Sequence, residues 1–415
     1  MAINISVNRL NRLHEASKDG LILLILTQVE AKDGVTVPTI VNSVLELHDK
    51  FEVRTSGSPA GPVLAGLYQM YTAEYLLSTG ATLLVYPTEA AGAFTINTDG
   101  PNLLDIEELD YKLILAPYTF IEGEGANIKE LAKLVQSTDG TGSTTGCLNL
   151  SAQLFLDLKL DGIFGSNAYA QLTTATKTLL NSIRSTAKIE VYANSGPANF
   201  YSKVTGLPAF GTQGFVGVPA SAIAAARKAK LLRDKMPFIP VAGKDNGTVT
   251  EITTLYKKLS TFEKEGLQAN NINVLTTKLG LGPLFVSQNT MTPSTDPYEP
   301  LRRSHAVTLA LWFKREVVKA AYEFEHTPNN TKSWALLELK LRKLFDDIYE
   351  SDGLEERAEI LLGRATTSAN DIKAGKLNII INFIPVNVLR EININLNIIG
   401  IGETNTIETV VGGGI

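Results

Sequence analysis

The residues of this chain that could do chemistry are four histidines, one cysteine and a few carboxylate and basic clusters. His14, His48, His305 and His326 are scattered, and none keeps a metal-ligand spacing to another His, to Cys147 or to clustered carboxylates. Each is expected at a surface or a helix end. Cys147 follows a small-residue loop, Ser137 to Gly146, with no histidine nearby to activate a thiolate. That loop has the glycines of a phosphate cradle but not its cation, since Cys147 stands where a Lys would follow Gly146. No Gly-x-Ser-x-Gly elbow occurs, and no Gly-x-Gly-x-x-Gly follows a strand-like run. Glu107, Glu108 and Asp110, and the pair Asp346 and Asp347, could serve acid–base work but read as solvated faces. Arg302-Arg303 heads a long helical pattern, where the positive end of the helix dipole disfavours cations; an outside partner and plain exposure are both open. The run 224–230, Ala-Ala-Ala-Arg-Lys-Ala-Lys, with Arg233 and Lys235 beyond, reads as a basic helix face for an acidic neighbour or for solvent. These residues specify no catalytic group, no metal and no cofactor.

The positioning elements must come from a chain of 415 residues, long enough for two or three domains. Apolar residues at 44 % and charged residues at 20 % suit a folded protein, and a net charge of −5 argues against nucleic acid as the main partner. The single cysteine excludes an internal disulfide. Leu21 to Leu26 is too short to span a bilayer, and the polar, charged residues before it lack a signal-peptide order; folding in a cytoplasm and no membrane insertion are expected.

Leu21 to Gln28 has the apolar run of a strand covered on both faces. Pro38 opens a helical pattern through Ile40, Val44, Leu47 and Phe51, and a second helix runs from Gly61-Pro62 to Gly80. Strands are predicted at 82–86, 111–115, 188–193 and 236–241, and helices at 221–235, 251–265, 304–324 and 333–349. In the last forty residues Leu377, Ile379, Ile381 and Phe383 alternate with partners such as Asn378 and Asn382. Ile392, Ile394, Leu396 and Ile398 then alternate with Asn393, Asn395 and Asn397. Pro385 to Asn387 would connect these two strands. Short strand-like pieces also stand at both ends: Ile3, Ile5 and Val7, and Ile407 to Val411.

Five segments in order resemble the contractile tail sheath family of phages, R-type bacteriocins and related injection machines. They are Val37 to Phe51 with the helix to Gly80 and the strand 82–86; Met236-Pro-Phe-Ile-Pro-Val-Ala-Gly243 to Gly247; and Asn271-Ile-Asn-Val-Leu275 through Gly280-Leu-Gly282 to Thr290. Arg302-Arg303 with Trp334 and Asp352-Gly353-Leu354, and Ala374-Gly375 to Pro385, complete the set. Asn289 replaces the family's usual Arg.

The resemblance implies an α/β (α+β) multi-domain sheath fold, a mixed sheet flanked by helices with an inserted outer domain and extended terminal β-arms. The expected layout is an N-terminal arm (1–20), a first core part (21–118), an inserted outer domain (119–235), a tube-facing C-terminal domain (236–402) and a C-terminal arm (403–415). Arm residues Ile3, Ile5, Val7, Ile407, Val410 and Val411 would add strands to a neighbour's sheet at Ile379, Ile381, Phe383, Ile392, Ile394 and Leu396. Arg302, Arg303, Arg315 and Lys319 would face the tube or a neighbour. Implied partners are further copies in a helical sheath of six-fold rings, an inner tail tube protein, and baseplate and tail terminator proteins, with no nucleic acid. The place is a virion tail or injection particle assembled in the bacterial host cytoplasm. Other self-assembling virion proteins, tube or capsid, and an α/β enzyme with an unassigned site are the competing readings.

Overall fold

A computed structural model describes residues 20–35, 37–55, 64–88, 111–120, 125–135, 152–158, 160, 169–183, 187–207, 217–292, 299–387, 396–400 and 403–407. Two compact units divide the chain, Met1–Arg315 and Glu316–Ile415.

The first unit begins with strand β1 (Ile22–Leu26), every residue of which is buried. Next come β2 (Val29–Ala31) and β3 (Thr39–Val41), α1 (Val44–Lys50) and β4 (Phe51–Val53). The helical pattern predicted from Pro38 to Phe51 thus holds only in its second half. Ser43 caps α1 by accepting from the Glu46 amide at 3.2 Å, and both flanks are extended. Helix α2 (Leu64–Ser78) is buried almost all round and leads to β5 (Leu83–Pro87). The chain continues through β6 (Leu113–Phe120), α3 (Gly125–Lys133), β7 (Gln153–Leu158), α4 (Thr174–Ser182) and β8 (Ile189–Ala193). A small ribbon, β9 (Ser195–Gly196) with β10 (Val218–Pro219), precedes α5 (Ala220–Arg233). Then follow α6 (Gly243–Gly247), α7 (Thr261–Gln268), β11 (Ile272–Lys278), β12 (Gly282–Phe285) and α8 (Ser304–Tyr322), which runs into the second unit.

Eight strands form one sheet in the order β12-β11-β8-β7-β6-β1-β5-β3. The six from β11 to β5 are parallel, with antiparallel β12 and β3 at the edges. This doubly wound order explains the continuous apolar strands: both faces of a parallel sheet are covered. Alternation along β7 sends Leu154, Leu156 and Leu158 into an apolar layer with Ile128, Leu131, Leu179 and Leu267 of α3, α4 and α7. Gln153, Phe155 and Asp157 point the other way, where Lys228 and Ser221 of α5 and Thr308 of α8 meet them.

Three expectations are corrected here. Residues 119–235 are not an inserted domain: they supply β7 and β8 in the middle of the sheet, with α5 packed on it. Residues 236–241 form no strand, because Pro237 and Pro240 remove two ladder donors within six residues. Helix α7 starts at Thr261, not near Glu251. Its start is a capping box, in which Ser260 Oγ accepts from the Glu263 amide at 3.3 Å and the Glu263 carboxylate accepts from the Ser260 amide at 2.8 Å. Upstream, the chain is extended along 195–199, where the Asn199 amide donates to Glu251 O and the Tyr256 amide to Ser195 O.

The second unit is built on α9 (Thr331–Glu350), capped by Asn330, whose side chain accepts from the Lys332 and Ser333 amides at 3.0 and 3.1 Å. Its buried face is Trp334, Leu337, Leu341, Phe345 and Ile348, as the periodicity predicted. Strand β13 (Glu359–Leu361), the five-residue α10 (Ala369–Lys373) and β14 (Ile380–Asn382) follow, with β13 and β14 paired antiparallel. Strands β15 (Leu396–Gly400) and β16 (Glu403–Ile407) make a separate two-stranded ribbon. Among the described residues, the two alternating C-terminal segments pair elsewhere rather than with each other: 380–382 with β13 and 396–400 with β16.

Candidate functional site

Three places in the molecule gather groups that could act: a buried polar node under the sheet, the crevice where the strand order reverses, and the short ribbons of the second unit.

The node is centred on Glu190 of β8, which is fully buried. Its carboxylate accepts from Lys228 Nζ at 2.7 Å, Ser304 Oγ at 2.5 Å, Tyr192 Oη at 2.6 Å and Gln153 Nε2 at 3.4 Å. Lys228 also donates to Gln153 Oε1 and to Ser304 Oγ, and Thr308 Oγ1 donates to Gln153 Oε1 at 3.0 Å. Burial pulls the Lys228 ammonium below its usual range, and the Glu190 charge opposes that shift. A paired, multiply bonded charge of this kind holds elements in register: here α5 and the first turn of α8 are tied to β7 and β8. It offers substrate no opening, since Lys228 and Glu190 are 2 % and 0 % exposed. The basic run 224–230 was misread for the same reason. Lys228 belongs to this node, Arg227 bonds Asn246 O and Glu251, and Arg233 donates to Gly80 O. Alanine on every side of α5 was the available signal that its first two turns are buried all round; only Lys230, near its end, is exposed.

Close by, Asp157 at the end of β7 accepts from the Ser221 amide at 3.2 Å and from its hydroxyl, capping α5 from a neighbouring strand. Burial pushes its carboxyl up to about 7, against the lowering effect of those two bonds.

In doubly wound sheets ligands bind beyond the carboxyl ends of the strands where the order reverses, which here is between β1 and β6. That crevice is filled from α2. Buried Gln69 donates to Thr27 Oγ1 at 2.9 Å and to Pro117 O at 3.2 Å, and its Oε1 accepts from the Gln28 amide at 2.9 Å. Tyr68 stacks on Tyr118 with centroids 4.9 Å apart, and the Tyr118 hydroxyl donates to Gly217 O. Tyr118 holds a left-handed φ of 63° to reach this position.

The described histidines sit at helix ends or at the surface, as expected, but two of them are engaged inside the fold. His48 Nε2 lies 2.6 Å from the fully buried Glu74, and His305 is buried in the first turn of α8; His326 is exposed, and His14 lies outside the described residues. Glu74 further accepts from the Lys203 amide at 3.0 Å and from the Ser202 hydroxyl, strapping 198–203 across α2.

Of the expected assembly residues, Ile3, Ile5, Val7, Ile392, Ile394, Val410 and Val411 lie outside the described residues. Ile379, Ile381 and Phe383 are half-buried on one side of β14. Ile381 lies opposite Ile360, and Phe383 meets Phe345 at 6.0 Å. Leu396 and Ile407, a receiving and an arm residue, are register partners within one chain. Of the four cations, Arg303 and Arg315 are buried, 4 % and 8 % exposed, with Arg315 donating to Tyr111 O at 3.2 Å. Arg302 Nε donates to Asn271 Oδ1 at 2.9 Å, and Lys319 pairs with Glu316 at 2.8 Å. Asn289 has its backbone clamped by the Asn273 side chain at 2.6 and 2.8 Å. Among the described residues no helix is long and apolar enough to cross a membrane.

No protein-family profile matches the sequence, and no curated protein matches it. Solved structures do. A chain of the contracted helical sheath of the anti-feeding prophage matches with a TM-score of 0.62 and 16 % identity, over 95 % of each chain. A chain of the contracted PVC sheath complex, from an extracellular contractile injection system, gives 0.58 and 12 %, over 94 % of this chain and 95 % of the other. A chain in the six-fold symmetrised baseplate of the anti-feeding prophage gives 0.64 and 14 %, over 91 % and 93 %. Across nearly its whole length, with the doubly wound sheet, the plugged crevice and the short C-terminal ribbons in one chain, this protein has the fold of the sheath proteins of contractile injection systems.

Proposed function

We propose that this chain is a non-enzymatic sheath subunit of a contractile, phage-type particle. Copies polymerise into stacked six-fold rings around an inner tube, and the lattice shortens to drive the tube through a target envelope. The observation that carries this reading is coextensive likeness to a contracted sheath, 95 % of both chains. The polar residues best placed for chemistry are spent on holding the fold, which suits a subunit working through its surface.

Assembly would use the short ribbons. A two-stranded sheet such as β13–β14 is marginal alone and keeps an edge on each side for added strands. The N-terminal segment with Ile3, Ile5 and Val7 would supply one, pairing by main-chain hydrogen bonds. Because β16 already pairs with β15, the C-terminal arm would act as a ribbon whose remaining edge meets a neighbour. Head-to-tail contacts that do not close in a plane generate a helix. A gain of only ~2 kcal/mol per subunit, the size of a single-residue effect, sums to a large driving force over many copies. The implied companions are the tube protein, baseplate and terminator, and the setting is a tail or injection particle assembled in a bacterial host cytoplasm.

Electron microscopy of purified protein tests this: hollow ribbed cylinders are expected, while smooth tubes or closed shells would indicate a tube or capsid subunit. Deleting residues 1–8 or 404–415 should leave folded monomers. Truncations that still polymerise would overturn the arm mechanism.

A further inference from the structure

Helix α9 has an outward stripe that its buried face does not explain. Lys332, Leu336, Leu339, Lys343, Asp347 and Glu350 are all exposed and, at 3.6 residues per turn, lie within about 80° of one another. Leu336 and Leu339 are 51 % and 66 % exposed. Charge along the stripe is segregated: basic around the leucines, acidic at the C-terminal end.

That order runs against the helix dipole at both ends. The first turn carries Lys332 and no acid, and the last turn carries Asp347 and Glu350 and no base. Either placement weakens an isolated helix, so local stability does not explain it. Neighbouring charges off the stripe are neutralised within the chain: Lys340 by Glu323, Arg342 by Glu338, Asp346 by Arg357. Lys332, Lys343, Asp347 and Glu350 meet no opposite charge among the described residues.

A complementary surface exists on the same unit. Past the acidic end of α9, Glu355, Glu356 and Glu359 are exposed beside Leu361, Ile380 and Ile384, which are 36 %, 48 % and 50 % exposed. The three apolar residues come together because Leu361 pairs with Ile380, and the Glu355 amide donates to Ile384 O at 2.9 Å. One patch is thus two leucines flanked by lysines, and the other is a leucine and two isoleucines rimmed by glutamates.

We propose that the Lys332–Lys343 half of α9 docks on the Glu355–Ile384 face of a second copy of this chain. The contact is head-to-tail, because the two patches differ and each copy carries one of each. It rests on the self-assembly reading above and adds to it a side-chain contact separate from the strand arms. Apolar centres supply affinity, and the opposed charges set register and encounter rate.

Charge reversal of the full chain tests this, with assembly followed by sedimentation velocity and electron microscopy and folding checked by circular dichroism. Lys332→Glu with Lys343→Glu should raise the concentration needed for assembly roughly a hundred-fold, since it places like charges across the contact. Glu355→Lys with Glu356→Lys should do the same. Mixing the two variants one to one should restore assembly, as each then offers what the other lacks. The proposal is overturned if either variant assembles like the parent, or if the mixture stays as defective as its parts. An α9-to-α9 two-fold dimer would leave the Glu355/Glu356 variant unaffected, which also overturns it. Ribbed cylinders from both variants would remove this contact and leave the sheath reading standing. Oligomers of the parent that are abolished by either reversal and restored by mixing, but that never form cylinders, would keep the contact and remove the sheath reading.

Discussion

The two units handle their polar groups in opposite ways. In the first, Glu190, Lys228, Gln153, Ser304 and Thr308 are deeply buried and answer one another within hydrogen-bonding distance. In the second, the charges of the α9 stripe and the apolar residues Leu336, Leu339, Ile380 and Ile384 face outward. Buried polar groups must be satisfied internally or they cost stability; exposed ones are free to serve a contact. The node of the first unit is closed on itself, while the α9 stripe of the second leaves its charges and leucines at the surface.

Three sets of substitutions would break or sharpen that contrast. The largest effect is expected in the node: Lys228→Met leaves the Glu190 carboxylate buried without its cation and should cost about 3–5 kcal/mol in a urea melt. Adding Glu190→Leu should recover most of it, because an apolar pair of similar volume replaces a buried ion pair nearly without loss. If the single variant is as stable as the parent, the node does not hold this unit together. Asp157→Asn should act more gently and through pH. The folded carboxyl titrates at about 7, above the ordinary value near 4, so between these values the folded state binds more protons than the unfolded one. Stability therefore falls as pH rises through that window. Asn keeps an acceptor for Ser221 and removes the proton, so the variant should show a flatter slope between pH about 4 and 7; an unchanged slope would assign the pH dependence elsewhere. In the second unit Leu336→Ser with Leu339→Ser should shift monomer stability by no more than about 0.5 kcal/mol while weakening assembly. A larger loss of stability would mean that these leucines are part of the unit's own core.

What could be read from the residues was whatever is local. The apolar run of β1, the stripe of α9 and the α/β layering were legible because burial and periodicity sit in neighbouring residues. The alternation at 377–384 also survives, with the odd positions half-buried and the even ones exposed. The errors came from distant pairing. Nothing near residues 153–158 or 189–193 reveals that they are inner strands, the first beside β6 and the second between β7 and β11, so 119–235 read as an insertion. Lys228 looked solvent-facing because its carboxylate is 38 residues away. Two errors were avoidable: Pro237 and Pro240 argued against a strand, and Ser260 with Glu263 marked the start of α7. Leu336 and Leu339 stood off the predicted apolar face, the clearest local sign of the α9 stripe.

The order of strands in the large sheet bears on how the protein is made. After β5 flanks β1 on one side, β6, β7, β8, β11 and β12 are each laid down on the other side in the order they leave the ribosome. Each arriving strand finds its partner already present, so long-range pairing, ordinarily slow, proceeds as a series of additions to a growing edge. The last addition ends the series: β12 is four residues long, contains Pro283, and has Thr248 bridged to Leu284 along it. At the opposite edge β3 has only three residues. Growth of the large sheet stops at both margins, so strand addition by a neighbour, as proposed above, would fall to the late-made ribbons of the second unit rather than to this sheet.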